Sequence, residues 1–337
     1  MKVLALLNKH SGCDYHRIRL PLEYLHEAGY ISGVTAPTQE EQLAQCDILY
    51  YNRIPYGVSM ETVLALRRKH GFKIVVDVDD YWKLYPGHML TAVWKSQEME
   101  WKIVQSLTAA DAVTCTSDRL AEKVRTYNRN VYVVPNGLPF GEGQFTRNIP
   151  GPEGLTRFVY AGGGSHLWDV RLLRNTARRL AREPFTGELV LAGVAEGIKI
   201  YDDMALAMSA NGALKQFRTE NHLPLDSYMD LYSHGDVALA PLVANDFNAC
   251  KSNLKVIEAG CKGMPIICSN VPPYRDDDNP LIMRVDTPSD WHRWIRYCEF
   301  NPAFVQDTGE AMHEFVKRNY ELRILNFLRL EAFKSVL

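Results

Sequence analysis

The chain alternates short apolar runs with amphipathic stretches, twice over, and that alternation narrows its fold to one class. In the first half, strand candidates lie at Lys2–Leu7, Ile48–Tyr51, Lys73–Val78, Ala112–Thr116 and Val131–Val134. Helical periodicity fills the gaps at Arg19–Ala28, Met60–His70, Ala92–Ala109 and Asp118–Tyr127. Strands this short and apolar are buried on both faces, as in a parallel sheet covered by its own crossover helices. A second series follows, with strands at Phe158–Ala161, Glu188–Ala192, Leu214–Phe217, Val237–Pro241, Pro265–Cys268 and Leu281–Val285. Its helices are expected at Trp168–Arg182, Leu225–Ser233, Ser252–Lys262, Pro288–Phe300 and Pro302–Arg318, and Tyr320–Val336 is amphipathic again. Between the two series, Leu138–Thr156 is dense in Gly and Pro and has no period, the pattern of a linker.

The sequence therefore predicts an α/β protein of two Rossmann-like, doubly wound domains: residues 1–140 and 157–318, a linker at 141–156, and a tail helix at 319–337. A length of 337 residues suits two ordinary domains. The default ligand position is a cleft between such halves. A net charge of −2 excludes a global basic field drawing the protein to nucleic acid or anionic membrane, and leaves room only for a local basic groove. No run is long enough to span a membrane, and Met1–Leu7 leads straight into a strand rather than a signal peptide. The seven cysteines are odd in number and show no C-x-x-C spacing, so they read as reduced thiols of a cytoplasmic protein.

Chemistry concentrates at Asn245–Asn270, read as a loop, a helix from about Ser252 to Gly263, and a buried strand. Leu254, Ile257 and Cys261 define an inward face, and Glu258 lies on that side. An inward carboxylate needs either a cationic partner or a polar ligand, because burying it unpaired is costly. Lys251, Ser252 and Asn253 precede the helix, where free N–H groups and the positive dipole end suit a phosphate. Lys251 and Glu258 fall roughly 10 Å apart along a helical axis, about the reach from a diphosphate to a ribose. A structural ion pair explains Glu258 equally well at this point.

Tyr160–Asp169 gives a strand, a glycine loop and a helix start, which lets main chain approach a phosphate or simply makes a tight turn. It is not a dinucleotide fingerprint, since Leu167 stands where the third glycine belongs. In the first half, polar residues collect at strand ends: Asn8–Arg17, then Asp79-Asp80-Tyr81-Trp82, then Pro135-Asn136-Gly137. His16 and Arg17 suit a phosphate or a helix cap. Asp79 and Asp80 suit a base, an acceptor-binding pair or metal ligands. No Ser-His-Asp or Cys-His arrangement, Walker loop or metal cluster of known spacing is present in the sequence.

Together these motifs resemble the glycosyltransferase family 4 type of the GT-B fold, whose second half carries E-x-x-x-x-x-x-x-E followed by A-x-x-x-G-x-P-V. Glu258-Ala259, Gly263–Ile267 and Ser269-Asn270 match its latter part. Phe158–Asp169 resembles the family's first strand and donor loop, in the S-H-x-x-D form of compact members found in bacteriophages and bacterial surface-glycan loci. Thr114–Ser117 and Val131–Gly137 resemble the end of its first domain, and Val78-Asp79-Asp80 sits where many members have V-H-D. Two positions depart: Cys250 replaces the first glutamate, and Asp79 replaces the histidine.

The resemblance implies two domains facing each other across a cleft, the tail helix returning to the first domain, and retaining transfer of a sugar from a nucleotide-diphosphate donor, UDP-linked, to an acceptor hydroxyl. It implies no metal or other cofactor. On that reading Lys251 and the N–H groups of Ser252, Asn253 and Leu254 hold the diphosphate, and Glu258 accepts the ribose hydroxyls. Gly163, Gly164 and Ser165 line the other side of the phosphates, with His166 pointing into the cleft. Arg218 and Thr219 are candidates for the base edge. Gly12, His16 and Arg17 face the cleft from the first half, and Asp79, Asp80 and Trp82 meet the sugar or acceptor. Lys251, Asp79 and His166 are the candidate catalytic residues.

The acceptor stays open between a glycan or lipid-linked sugar and a hydroxymethylated base of phage DNA. The DNA acceptor would use Tyr15, Arg17, Arg19, Arg53, Tyr81, Trp82, Lys83 and Tyr85 as a basic, aromatic groove. A sugar-nucleotide epimerase and a non-catalytic glycan or nucleotide binder share the layout.

Overall fold

The apolar runs form two all-parallel sheets in a computed structural model that describes residues 1–33, 40–148 and 154–337. The chain divides into two units. Unit 1 comprises Met1–Gly137, Ala249–Ser252 and Tyr320–Leu337, and unit 2 comprises Leu138–Asn248 and Asn253–Asn319. Among the described residues, no helix is long and apolar enough to cross a membrane.

Unit 1 is built on β1 (Val3–Leu6), β2 (Ile48–Asn52), β3 (Lys73–Val78), β4 (Ala112–Cys115) and β5 (Val131–Val133), hydrogen-bonded in that order. A parallel bridge from Lys2 to Ser32 adds to the edge of β1 opposite β2. The chain thus leaves β1 to one side and returns on the other, which makes the β1–β2 gap a topological switch point. Alternate residues feed two cores. Leu4, Leu6, Leu49, Tyr51 and Ile74 face one, and Val3, Ala5, Ile48, Tyr50 and Val75 face the other. The second is closed by Leu330 and Phe333 of the helix Leu322–Lys334, so the C-terminal helix is part of unit 1.

A buried ion pair crosses this unit. Asp77, on β3, is fully buried and takes both Nε (3.0 Å) and Nη2 (2.8 Å) of Arg17. Thr114 Oγ1 on β4 donates to it at 2.6 Å and Asn52 Nδ2 on β2 at 3.2 Å. Arg17 Nη1 reaches the Val134 carbonyl (2.8 Å) and Asn136 Oδ1 (3.1 Å) beyond β5. Sequence reading placed Arg17 in the cleft, and the structure corrects this: at 2% exposure its donors are spent on the fold. Trp82 is corrected likewise, being 1% exposed in the core of unit 1.

Unit 2 carries β6 (Arg157–Ala161), β7 (Glu188–Val194), β8 (Phe217–Asn221), β9 (Val237–Ala240), β10 (Ile266–Ser269) and β11 (Met283–Val285). Their order across the sheet is β11-β10-β9-β6-β7-β8. The chain runs outward from β6 through β7 to β8, then returns to the far side of β6 as β9, so the β6–β9 gap is the switch point here. Within the expected linker, Gln144 and Phe145 are buried on unit 2, where Gln144 Nε2 donates to the Leu225 carbonyl at 2.9 Å. Phe140 and Phe145 supply the apolar area that ties this stretch down. Residues 149–153 of it lie outside the described residues.

Several element boundaries differ from expectation. The stretch Ala92–Ala109 is two helices, Thr91–Ser96 and Met99–Ala109, parted where Glu98 takes φ +53°. The helix Lys199–Met208 was not foreseen. The helix expected from Arg19 begins as a π-helical turn, Tyr15–Arg19, a local widening common near functional sites.

Arg17→Met leaves Asp77 buried without its cation and is expected to destabilise unit 1 by about 3–5 kcal/mol. Denaturant unfolding followed by fluorescence measures it. The double variant Arg17→Met, Asp77→Leu should recover part of the loss, and a strictly additive result would contradict the coupling.

Candidate functional site

Two loops meet at the carboxyl end of unit 2's switch point. After β6 come Gly162, Gly163 and Gly164, then a 3-10 turn over Gly164–His166. A Cβ on Gly164 would lie 2.7 Å from Ile200 Cγ2 of the helix Lys199–Met208, so only glycine permits this packing. Gly163 is exposed, and Ser165 and His166 are half-buried. His166 Nδ1 lies 2.7 Å from Asp169 Oδ2, a contact that sets the orientation of the ring. Asp169 Oδ1 accepts from the Val243 N–H (2.7 Å) and Asn248 Nδ2 (3.2 Å), both beyond β9. One buried carboxylate thus ties the glycine loop to the loop leaving β9 and orients the imidazole.

That second loop leads into the helix Leu254–Cys261, which ends where Gly263 adopts φ +72°. Its inner face buries Val256, Ile257 and Cys261, and Glu258 is 1% exposed among them. Glu258 Oε2 accepts from Tyr232 Oη (2.7 Å) and Lys255 Nζ (2.9 Å), and Lys255 also donates to Tyr228 Oη at 2.6 Å. Burial and then the Glu258 charge push both phenols upward in pKa. For Lys255, burial works against the charged form, but Glu258 and the phenols outweigh it, so the ammonium persists. The sequence reading missed Lys255, Tyr228 and Tyr232. The three-residue spacing of Lys255 and Glu258 was the available signal. Asn253 and Leu254 begin the helix half-buried, with Asn253 Nδ2 on Asp277 Oδ2 at 2.6 Å.

Arg218 and Thr219 are displaced from their expected place. They lie within the outer strand β8 rather than after a strand, two strands from β6. Arg218 is held by Glu188 (2.8 Å) and by Glu220, so its guanidinium is already neutralised.

Unit 1 gathers the remaining candidates. Lys251 Nζ is 3.2 Å from Asp80 Oδ1, and Ser252 Oγ accepts from Asn136 Nδ2 at 2.8 Å. Arg53, at φ +59°, pairs with Asp79 (2.8 Å) and Asp80 (3.3 Å). That conformation is costly for a side-chain-bearing residue, and here it aims the guanidinium at both carboxylates. Burial alone would raise Asp79, but Arg53 overrides it and holds the carboxyl well below the usual range. Asp79 is therefore a fixed anion and a poor proton acceptor. Gly12 is exposed and His16 half-buried on the turn after β1. At this unit's own switch point, a cavity of about 360 Å3 opens between the loops after β1 and β2, lined by Asn8, Lys9, His10 and Tyr56. Of the groove residues considered for a DNA base, Tyr15, Arg17 and Trp82 are buried, and Arg53 is committed to Asp79 and Asp80.

No protein-family model matches the sequence, and no curated protein matches it significantly. Solved structures do match its fold along the whole chain. Sucrose-phosphate synthase from Thermosynechococcus elongatus is 15% identical, with 100% of this chain and 99% of that one covered, at a TM-score of 0.68. A glycosyltransferase from Rickettsia africae is 12% identical over 99% and 98%, at 0.69. HepE from Anabaena in complex with UDP-glucose is 12% identical over 99% and 100%, at 0.68. The chain has the two-domain α/β fold of the GT-B class.

Asp14 begins the turn beside the unit 1 cavity, and burial raises its carboxyl to about 6 against the Asn8 N–H bond that favours the anion. A carboxyl raised in the folded state contributes stability below its unfolded pKa and loses it as pH climbs through the folded one. Wild type should therefore lose up to about 3 kcal/mol relative to Asp14→Asn between about pH 4 and 7. Urea unfolding of both proteins across that range measures it, and a pH-independent difference would refute the assignment.

Proposed function

We propose that this chain is a glycosyltransferase that moves a sugar, with retention, from a UDP-linked donor to an acceptor hydroxyl. One observation carries the reading: at unit 2's switch point a glycine loop and the Glu258 helix loop are joined through Asp169, giving main-chain donors, an oriented imidazole and a buried carboxylate on one sheet edge. Doubly wound sheets bind nucleotides at such edges. The GT-B fold and a neighbour holding UDP-glucose support the donor class. The family 4 motifs support retention.

Departure of a nucleoside diphosphate builds negative charge on the leaving oxygen, and preorganised donors are the economical way to stabilise it. The N–H groups of Gly163 and Gly164 and the start of the Leu254–Cys261 helix take that part. Glu258 accepts the ribose hydroxyls, with Lys255 and Tyr232 holding its carboxylate in place. His166, set by Asp169, faces the transferred sugar. The acceptor lies at the unit 1 cavity, where Lys9, His10, Asn8 and Tyr56 offer donors and a ring face to a sugar-like molecule. A glycan or lipid-linked sugar is favoured over a DNA base, because four of the eight groove residues are withdrawn: Tyr15, Arg17 and Trp82 are buried and Arg53 is committed to Asp79 and Asp80. All seven cysteines are outside disulfides, which supports a reducing, cytoplasmic setting.

Calorimetry with UDP and UDP-glucose tests the donor site. Glu258→Ala should weaken UDP binding by about tenfold or more, the scale of a lost charge-assisted pair. Lys255→Met combined with Glu258→Leu should restore stability without restoring binding, which separates a ligand contact from a purely structural pair. Unchanged UDP affinity in Glu258→Ala would overturn the assignment. Mass spectrometry of products from a donor panel, with and without glycan and hydroxymethylated DNA acceptors, separates transfer from epimerisation and from binding alone.

A further inference from the structure

The molecule has a second surface feature that the transfer reading does not use. On unit 1 the helices Thr91–Ser96 and Met99–Ala109 enclose a groove of about 590 Å3, lined by Trp94, Lys95, Glu98, Glu100, Trp101 and Val104. That volume falls within the roughly 300–1,000 Å3 of small-molecule sites. Trp101 is 57% exposed, so large apolar area is left facing water where burial would be favourable. Trp94 is not loose: its Nε1 donates to the Trp82 carbonyl at 2.9 Å, and Trp82 is in the core. One wall is thereby pinned to the loop that follows β3.

The bend between the helices is the second observation. Glu98 takes φ +53°, a conformation that glycine adopts without steric cost and a glutamate does not. The chain keeps a carboxylate where glycine would be cheaper, and that carboxylate lines the groove. Strain of this kind clusters at active sites, ligand clamps and switch regions.

We infer that this groove binds a neutral oligosaccharide. Indole faces stack on the C–H faces of pyranose rings, while sugar hydroxyls donate to Glu98 and Glu100 and accept from Lys95. Glu98 and Glu100 stand against Lys95 and against Lys83, whose Nζ is 3.6 Å from Glu100 Oε1, so the charges at the groove balance and suit an uncharged ligand. A zwitterionic membrane is the rival occupant. None of the groove residues is among those assigned to the donor, so this site stands whether or not the chain transfers sugar.

The test is intrinsic tryptophan fluorescence of the full chain titrated with maltotriose, cellotriose and chitotriose, and separately with phosphatidylcholine vesicles. A saturable change is expected with at least one trisaccharide and none with vesicles. Trp101→Ala should weaken binding by about tenfold or more, and Trp101→Phe should retain most of it, as loss and retention of a stacking ring require. Glu98→Gly separates recognition from structure: relief of strain should raise the melting temperature while saccharide affinity falls. The inference is overturned if no trisaccharide gives saturation, if vesicles alone change the spectrum, or if Glu98→Gly and Trp101→Ala bind as wild type does.

Discussion

Unit 1 is held in register by one buried charge pair. Asp77 sits at the centre of a parallel sheet, where a carboxylate without partners would be costly to bury. Arg17 supplies a two-pronged match and Thr114 and Asn52 donate to the same carboxylate. Those partners come from the turn after β1, from β2 and from β4, and Arg17 itself reaches past β5. The polar network thus fixes the strand ends from which every unit 1 loop departs. Apolar packing makes the sheet compact, but it does not choose among nearby registers so sharply.

Parallel topology then decides where chemistry can sit. Each sheet has one place where the chain changes direction, and each carries glycine, histidine and small polar residues there. In unit 2, Asp169 converts two neighbouring loops into one surface by accepting from both. In unit 1, Arg53 does a comparable job between β2 and the loop after β3, at the expense of an unfavourable backbone angle. In both places the carboxylates have their hydrogen-bond partners within the same unit.

Much of this was legible in the sequence, for identifiable reasons. Buried parallel strands announce themselves as apolar runs, and Gly162, Gly164 and Gly263 mark positions where a side chain would be crowded or strained. Glu258 on the inner face of its helix was also readable, because four-residue spacing fixes the face. What the sequence could not reveal was who partners whom across distance. Arg17 and Asp77 are sixty residues apart, and nothing local distinguishes a buried arginine from one that meets a ligand. Trp82 reads as a ligand-stacking ring until its environment is known. Arg218 was misplaced because β8 begins at Phe217, an edge strand with a polar pattern that periodicity describes poorly.

The path of the chain through unit 1 has a consequence for biosynthesis. The helix Leu322–Lys334 closes one of that unit's two cores, with Arg329 Nε on Tyr50 Oη at 3.2 Å and Asn326 Nδ2 on the Pro21 carbonyl at 3.0 Å. The whole of unit 2 is therefore translated between the first and last pieces of unit 1. A nascent chain can finish unit 2 while unit 1 still exposes the apolar face around Tyr50 and Ile48. Until the closing helix is made, unit 1 lacks Leu330 and Phe333, the side chains that cover that face.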